Sequence, residues 1–565
     1  MSDFIPPVRL LACSEWLSLV QTDGSCIDRI LRPIYDKNGG RLDDRKRTLQ
    51  AILIRYLEHF GDAPVVIARS PGRINLMGRH VDHRGGCVNP IGIDREVFVV
   101  AGLRKDRAVH AVDMEEGLYP PRDAMIDEIL SPNQRGRWTH FIDEVGLRRG
   151  DWKNYVLAPM LWLWDQAGSK VDAWMGPRLR WEGPRDVKGM NLVLFGDIPP
   201  SAGLSSSSAI VVASMLASAA LNRIFADKGD LADACGQAEW YVGTRGGSGD
   251  HAAEILARPG KVSHIGFFPS SVAYLPFPEG YKVLVANSRK EAHKSAGARS
   301  IFNQATATYD LGLGLLKSKW PQYAGRLSYL RDVNPEFLGC DVMQIYRMIR
   351  SLPETCTRSD VRDLLVDEEA SQLMERRFRD HEDPGEFGYA IRRKITFGIT
   401  ECERSRRCAF MLQDGNLAGF GELMSISHNG DRVFLHRPGT VDVIKYWDNR
   451  VSDEYLDRLI EDASSGVPIP VRRSALYRQY GDYGCGCEEI DQLVDISLGM
   501  PGVVGAQLSG AGLGGSMMAL VKEDATEAVQ EAQCRLYYEA RGLEPLVTVC
   551  APIGGAGVLT VPDGV

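Results

Sequence analysis

The sequence predicts a mixed α+β protein of two or three domain-sized units, and three observations carry that expectation. The chain has 565 residues, 44% hydrophobic and 25% charged, enough for each unit to bury its own core. Short apolar runs of strand length recur along it: Val65-Val66-Ile67-Ala68, Val97-Phe98-Val99-Val100-Ala101, Asn191-Leu192-Val193-Leu194-Phe195 and Lys282-Val283-Leu284-Val285-Ala286. Helix-like segments alternate with these runs, the pattern of an α+β or α/β class.

In chain order, residues 1–55 read as a helical extension, closing in Leu49-Gln50-Ala51-Ile52-Leu53-Ile54-Arg55-Tyr56-Leu57. Strands begin at Val65. Between about 320 and 415 the text is mostly helical, as in Asp360-Val361-Arg362-Asp363-Leu364-Leu365-Val366. The polar run Arg377–Gly385 within it reads as a loop between helices with solvated charges. The segment 432–484, with Pro438, Pro468, Pro470 and many aromatics, reads as an insertion. There is no internal repeat and no low-complexity tract.

Several function classes are disfavoured. With 74 acidic against 66 basic residues and a net charge of −8, the chain lacks a nucleic-acid footprint. No apolar run reaches the roughly 18–20 residues of a membrane span. The start, Met1-Ser2-Asp3-Phe4-Ile5-Pro6-Pro7, has no signal-peptide pattern. The twelve cysteines are mostly scattered singly and form no disulfide framework. Free thiols without an export signal place the protein in the cytoplasm. Cys485-Gly486-Cys487 is a close pair, but no second pair or His pair stands at zinc spacing, so it reads as structural.

Three glycine- and serine-rich stretches carry chemistry. Pro199-Pro200-Ser201-Ala202-Gly203-Leu204-Ser205-Ser206-Ser207-Ser208-Ala209 follows a strand-like run and enters an apolar helix at Ile210. Small residues there let several N–H groups turn toward an anion at the helix start. Serine hydroxyls add hydrogen bonds or a Mg²⁺ ligand. A plain N-cap is the bland alternative. No Walker-A lysine is present, which excludes a P-loop NTPase. The second stretch, Leu508-Ser509-Gly510-Ala511-Gly512-Leu513-Gly514-Gly515-Ser516, precedes the strand-like Met517–Val521. The third, Ser70–Gly86, packs Arg73, Arg79, His80, Asp82, His83 and Arg84 into twelve positions, denser than a structural turn needs.

Together these stretches resemble the GHMP kinases, and within them the galactokinases. Phe60-Gly61-Asp62-Ala63-Pro64 and Ser70–Pro90 look like the galactokinase signature, whose core reads G-R-V-N-L-I-G-E-H-T-D-Y. Ser201–Ala209 is similar to the family's phosphate loop. Trp152-Lys153-Asn154-Tyr155-Val156, Gly421–His428 and Gly510–Ser516 fit in the same order. The resemblance is collinear from about residue 56 to Gly557, outside the extension and two inserted stretches. It implies a two-lobed GHMP kinase fold with insertions, a ribosomal-protein-S5-like N-terminal lobe (56–265) and an α/β C-terminal lobe (266–565).

The resemblance also implies roles. Gly243-Thr244-Arg245-Gly246-Gly247-Ser248-Gly249-Asp250 occupies the place of the family's G-x-P-C-G-I-M-D, making Asp250 the catalytic base. Arg73 is its cationic partner. Each has an alternative reading as half of a buried ion pair. Gly203, Leu204, Ser205, Ser206, Ser207 and Ser208, with Gly512 and Gly514, would bind ATP. Ser207 and Glu239 carry over as Mg²⁺ ligands, although Glu239 stands one residue closer to Asp250 than the family pattern has it. Arg79, His80, Asp82 and Gly247 fall on sugar-contact positions.

The departures lie on the sugar side. Arg79 stands where galactokinases carry a sugar-contacting Glu, Arg245-Gly246 replaces Pro-Cys, and the family Tyr is not evident in Asn287–Lys294, although His293 has a counterpart. Because a guanidinium matches carboxylate or phosphate better than a neutral alcohol, Arg79 raises the expectation of an anionic substrate. The resemblance therefore implies an ATP- and Mg²⁺-dependent kinase for the anomeric hydroxyl of galactose or a galacto-configured derivative. A uronic acid kinase and a non-catalytic sugar sensor are the alternatives. A GHMP kinase for mevalonate or homoserine fits less well, given His80-x-Asp82 and the Phe60–Pro64 lead-in. The expected partners are a small-molecule sugar and ATP, with no nucleic acid and no membrane; the oligomeric state is not legible.

Overall fold

A seven-stranded sheet built on Pro64–Asn75 and Pro90–Leu103 and a four-stranded sheet built on Tyr281–Asn287 and Ser516–Lys522 organise the chain. The computed structural model describes residues 9–22, 24–35, 41–136, 147, 150–168, 177–200, 202–243, 246–290, 296–365 and 368–562. The larger sheet runs Leu11–Ala12, Pro64–Asn75, Pro90–Leu103, Met190–Gly196, Ala108–Asp113, Arg122–Met125, and Gly557–Val558 pairs with the Pro64 strand. The smaller sheet is antiparallel throughout, in the order Val503–Ser509, Ser516–Lys522, Tyr281–Asn287, Val547–Cys550.

The strand-like runs read as continuous apolar text because the larger sheet is covered on both faces. Val66, Ala68, Val97 and Val99 pack with the helices Lys153–Gly168 and Ser206–Leu221. Val65, Ile67, Phe98 and Val100 pack under the N-terminal extension. That extension is helical, as expected, in Cys13–Thr22, Gly24–Tyr35 and Leu42–Phe60. Its last helix runs to Phe60, since nothing breaks it before Gly61, which takes φ +75°.

One buried carboxylate ties these layers. Glu96, fully buried on the Pro90 strand, accepts from Tyr35 OH at 2.5 Å and from Arg69 Nε at 2.6 Å, and pairs with Arg45 Nε at 2.8 Å. Arg69 also donates to the carbonyls of Gly554 and Gly555 at 3.0 and 2.6 Å. The extension, the sheet and the C-terminal segment thus meet on one side chain.

The region 320–415 is mostly helical, and the helices Ala296–Lys319, Val342–Arg350 and Ile391–Gln413 share a second apolar core. The run Arg377–Gly385 corrects one expectation. It is largely a loop, but not merely a solvated one: Arg377 Nε lies 3.1 Å from Asp310 Oδ2, and buried His381 places Nε2 2.8 Å from Tyr389 OH. The segment 432–484 holds a hairpin (Phe434–His436 with Val443–Tyr446) and the helix Asp453–Ser464, whose Leu456 and Leu459 join the second core. Among the described residues no helix is long and apolar enough to cross a membrane.

Glu96→Ala leaves two buried guanidinium groups short of their carboxylate, so urea unfolding should show a loss of about 3–5 kcal/mol. Tyr35→Phe removes a single hydrogen bond to a charged group and should cost about 1.5–3 kcal/mol. Equal losses would mean that Glu96 is not the shared tie.

Candidate active site

The three glycine-rich stretches converge, and backbone geometry explains how. The pairing of the Pro64 and Pro90 strands shifts register between Pro71 and Gly72, with Asp94 and Arg95 of the Pro90 strand as the extra residues. Gly72 is required there, because a Cβ would stand 2.8 Å from the Leu204 carbonyl. Arg73 N donates to that same carbonyl at 3.1 Å, fastening the phosphate loop to the strand. On the loop's other side a Cβ on Gly203 would meet Ser509 O at 2.9 Å, and one on Gly510 would meet Gly203 Cα at 2.9 Å. Gly203, Gly510, Gly512 and Gly514 all have positive φ, the conformation glycine alone adopts without strain.

Arg73 then gathers the centre. Its Nε and Nη2 donate to the two oxygens of Asp250 at 2.8 and 2.6 Å, and Nη1 donates to Gly203 O at 2.7 Å. Ser205 Oγ donates to Asp250 Oδ2 at 2.7 Å. Ser205 precedes the helix Ser206–Leu221 with φ +58° and makes no side-chain cap. Its hydroxyl serves Asp250 instead, leaving the first amides of that helix free of a side-chain cap, the arrangement of an anion site. A non-glycine residue in left-handed backbone is strain of the kind that clusters at functional sites.

Arg73 is largely buried, while the Asp250 side chain is 45% exposed. Burial works to raise the Asp250 pKa, but the Arg73 charge and hydrogen bonds, with that of Ser205, overcome it and hold the carboxyl below its usual range. One helical turn on, Glu254 is fully buried, with Oε2 3.5 Å from Ser70 Oγ; burial and the Asp250 charge push its pKa well up.

The phosphate-loop helix also meets Glu239. Ser208 Oγ donates to Glu239 Oε2 at 3.1 Å, and His251 Nε2 lies 2.8 Å from the same oxygen. The shorter spacing from Glu239 to Asp250 therefore still brings this carboxylate to the loop. Ser207 is half-buried at the helix start. A serine hydroxyl and a carboxylate are hard oxygen donors, the set that suits Mg²⁺.

Next to Asp250 lie the expected sugar-contact positions. A Cβ on Gly247 would come within 3.0 Å of Asp82 Oδ2, and one on Gly249 within 2.9 Å, so Asp82 rests on this backbone. Burial acts to raise the Asp82 pKa, yet the hydrogen bond and charge of His83 bring it down to about 2. His80 adopts φ +59° and stacks on Tyr483 with centroids 3.9 Å apart; burial takes its pKa down to about 4.

Arg79 corrects an expectation. It is 4% exposed, with Nη1 donating to Asp431 Oδ2 at 2.7 Å and Nη2 to Ser427 O at 2.8 Å. A guanidinium committed to a buried carboxylate is no open receptor for a substrate anion. Thr244, Arg245 and His293 lie outside the described residues.

The family model described as the galactokinase galactose-binding signature matches residues 54–103, the GHMP kinases N-terminal domain matches 173–258, and the GHMP kinases C-terminal domain matches 472–539. Galactokinase of Dictyostelium discoideum is 25% identical over 508 residues, 89% of each chain. That of Chloroflexus aurantiacus is 26% identical over 516 residues, 91% of this chain and 98% of the relative. Along most of its length the chain is thus similar to galactokinases and carries matches to the GHMP kinase domain models. The crystal structure of Lactococcus lactis galactokinase complexed with galactose superposes with a TM-score of 0.60 at 20% identity, covering 89% of this chain and 97% of that one, and shows the same α+β fold.

Several residues at this galactokinase-like site escaped the sequence reading. Glu401 accepts from Gly78 N and Arg79 N at 3.0 and 3.2 Å, holding the signature loop from the helix Ile391–Gln413. Asp431, Tyr483, Cys485 and Glu254 were equally unmarked as site residues. Only Cys485 carried a local signal, its neighbour Cys487.

Asp250 titrates lower in the folded chain than in the unfolded one. Its contribution to stability is therefore present above the unperturbed value of about 3.9 and is lost as pH falls through the folded pKa. In Arg73→Met, with the largest opposing charge gone, the carboxyl should titrate higher than in the native chain. Carbon-13 NMR titration of labelled aspartate reads this, and an unmoved pKa would exclude Arg73 as the cause.

Proposed function

We propose that this chain is a cytoplasmic ATP-dependent sugar kinase that phosphorylates the anomeric hydroxyl of galactose or a galacto-configured derivative. The observation that carries the reading is the Arg73–Asp250–Ser205 cluster, seated at the start of the phosphate-loop helix and beside Asp82 and the Gly247 backbone. The likeness to curated galactokinases along most of the chain supports it. The division of labour would be an N-terminal lobe over 56–265, a C-terminal lobe over 266–565, and an added helical extension over 1–55.

In this reading the amides and hydroxyls of Gly203–Ser208, with the turn around Gly512 and Gly514, cradle the ATP phosphates. Ser207 and Glu239 would hold Mg²⁺, which supplies charge neutralisation on the triphosphate. Asp82, His80 and the Gly247 backbone orient the sugar. Asp82 is ionised and purely an acceptor, as hydroxyl recognition requires. Asp250 takes the proton of the anomeric hydroxyl as it attacks, and Arg73 stabilises the charge developing on the transferring group. Phosphoryl transfer needs this positioning and no covalent intermediate.

Incubating the chain with ATP, Mg²⁺ and a panel of free sugars should release ADP with a galacto-configured hexose, and phosphorus NMR should find the phosphate on the anomeric carbon. Asp250→Asn should retain nucleotide binding and lose about two orders of magnitude or more in turnover. Near-normal turnover would remove the base assignment. Turnover by no sugar, with ATP and galactose both bound, would make the protein a sensor.

Arg79 supplies a separate check on the sugar. Since its charge is spent on Asp431, galactose should be preferred to galacturonate. Arg79→Met should instead appear as a stability loss of about 3–5 kcal/mol in denaturation, from the carboxylate left unpaired. A native preference for the uronate would restore the anionic reading.

A further inference from the structure

Behind the sugar-contact loop, three side chains converge in a way that none of the steps above uses. Cys485 Sγ lies 3.3 Å from His80 Nε2 and 3.0 Å from Asp431 Oδ1, and all three ligand atoms fall within 4.8 Å of one another. They come from distant segments: the signature loop, the turn after the helix Leu417–Asn429, and the stretch leading into Glu488–Leu498. We propose that His80, Asp431 and Cys485 form a binding site for a thiophilic divalent cation of the zinc class.

The donor set is the first argument. One imidazole nitrogen, one thiol sulfur and one carboxylate oxygen make the mixed N/S/O set that zinc-class cations take, and that hard Mg²⁺ does not. For bond lengths of about 2.3 Å to sulfur and 2.0 Å to nitrogen, tetrahedral corners stand about 3.5 Å apart. The observed separation of sulfur and nitrogen, 3.3 Å, needs a widening of only a few tenths of an ångström to match.

Pre-organisation is the second. Arg79 holds Asp431 through Oδ2 and leaves Oδ1 turned to the cluster. Cys485 is fixed on both sides of its backbone: its N–H donates to Asp431 Oδ1 at 3.0 Å, and its carbonyl accepts from Leu513 N at 2.6 Å. The His80 ring is clamped on Tyr483 in strained left-handed backbone.

The exchange balances. The cation takes the place of the thiol proton that now bridges Sγ and Asp431 Oδ1; that proton leaves to solvent, and the site gains one net positive charge. The fourth ligand enters from the side of His80, the most exposed of the three. Occupancy would take the Nε2 lone pair of His80 and so disable a sugar contact. This consequence rests on the function proposed above, whereas the binding itself does not.

The test uses the full chain, stripped of metal with chelator and titrated with Co²⁺ in the absence of Mg²⁺ and nucleotide. The expected result is a thiolate-to-cobalt charge-transfer band that saturates at one ion per chain, is lost in Cys485→Ser and persists in Cys487→Ser. X-ray absorption of the unmodified zinc-loaded chain, which needs no variant to fold, should find a single sulfur among nitrogen and oxygen ligands. The absence of the band, its persistence in Cys485→Ser, or a zinc shell without sulfur would overturn the site. In kinase assays Zn²⁺ should raise the KM for the sugar about tenfold or more, the scale of losing a ligand-orienting group, and leave that for ATP unchanged. An unchanged sugar KM beside a sulfur-containing zinc shell would overturn the inhibitory consequence alone.

Discussion

The centre of this protein depends on a single guanidinium. Arg73 reaches two oxygens of Asp250 and the carbonyl of Gly203 at once, so one side chain sets the distance between the carboxylate and the phosphate loop. Arg73 can do this because Gly72, without a Cβ, lets Leu204 O approach the strand beside it. A planar five-donor group suits the task where lysine would not, since three acceptors must be met in fixed directions.

Around that centre, tight backbone contacts do the work that side chains do elsewhere. Gly203 against Gly510, and Gly512 against the carbonyl of Cys485, leave no room for a Cβ. The phosphate loop, the second glycine-rich turn and the segment at 485 therefore form one stacked unit. Movement of any of them must be felt by the next, because close-packed interiors transmit strain rather than absorb it. The strained φ of Ser205, His80 and Leu513 all fall within this stack, where the surroundings over-determine the backbone.

How much of this was legible in the sequence differs by kind of interaction. The sheet runs at Val65, Val97, Asn191 and Lys282 were readable because burial on both faces leaves continuous apolar text. The convergence of the three glycine-rich stretches, and with it the partnership of Arg73 and Asp250 across 177 positions, was legible only through the resemblance to the galactokinases. What stayed hidden were contacts across large separations made by ordinary residues. Glu401 lies mid-helix in a mostly helical stretch, and its amides are more than three hundred positions away. Tyr483 closes an insertion that offered no motif. Glu96 looked like any strand glutamate, although it joins the extension to the sheet. The loop at Arg377–Gly385 misled because charge density was read as solvation, whereas Arg377 pairs with Asp310 and His381 meets buried Tyr389.

Arg79 shows why a substitution at a motif position cannot be interpreted alone. Exchanging a family carboxylate for a guanidinium in a buried place would be prohibitive unless a negative charge were brought to meet it. Asp431 does so from the turn after the helix Leu417–Asn429, and Ser427 takes the second nitrogen. The pair is neutral overall, so the exchange leaves the site's charge unlike that of a lone arginine. In the function proposed above, Asp431 is then no free acceptor for a sugar, since it spends Oδ2 on Arg79 and Oδ1 on Cys485. Recognition of sugar hydroxyls in that reading falls on Asp82, whose carboxylate rests on the Gly247–Gly249 backbone and is held to a pKa of about 2. The residue that compensates the Arg79 charge lies more than three hundred positions away.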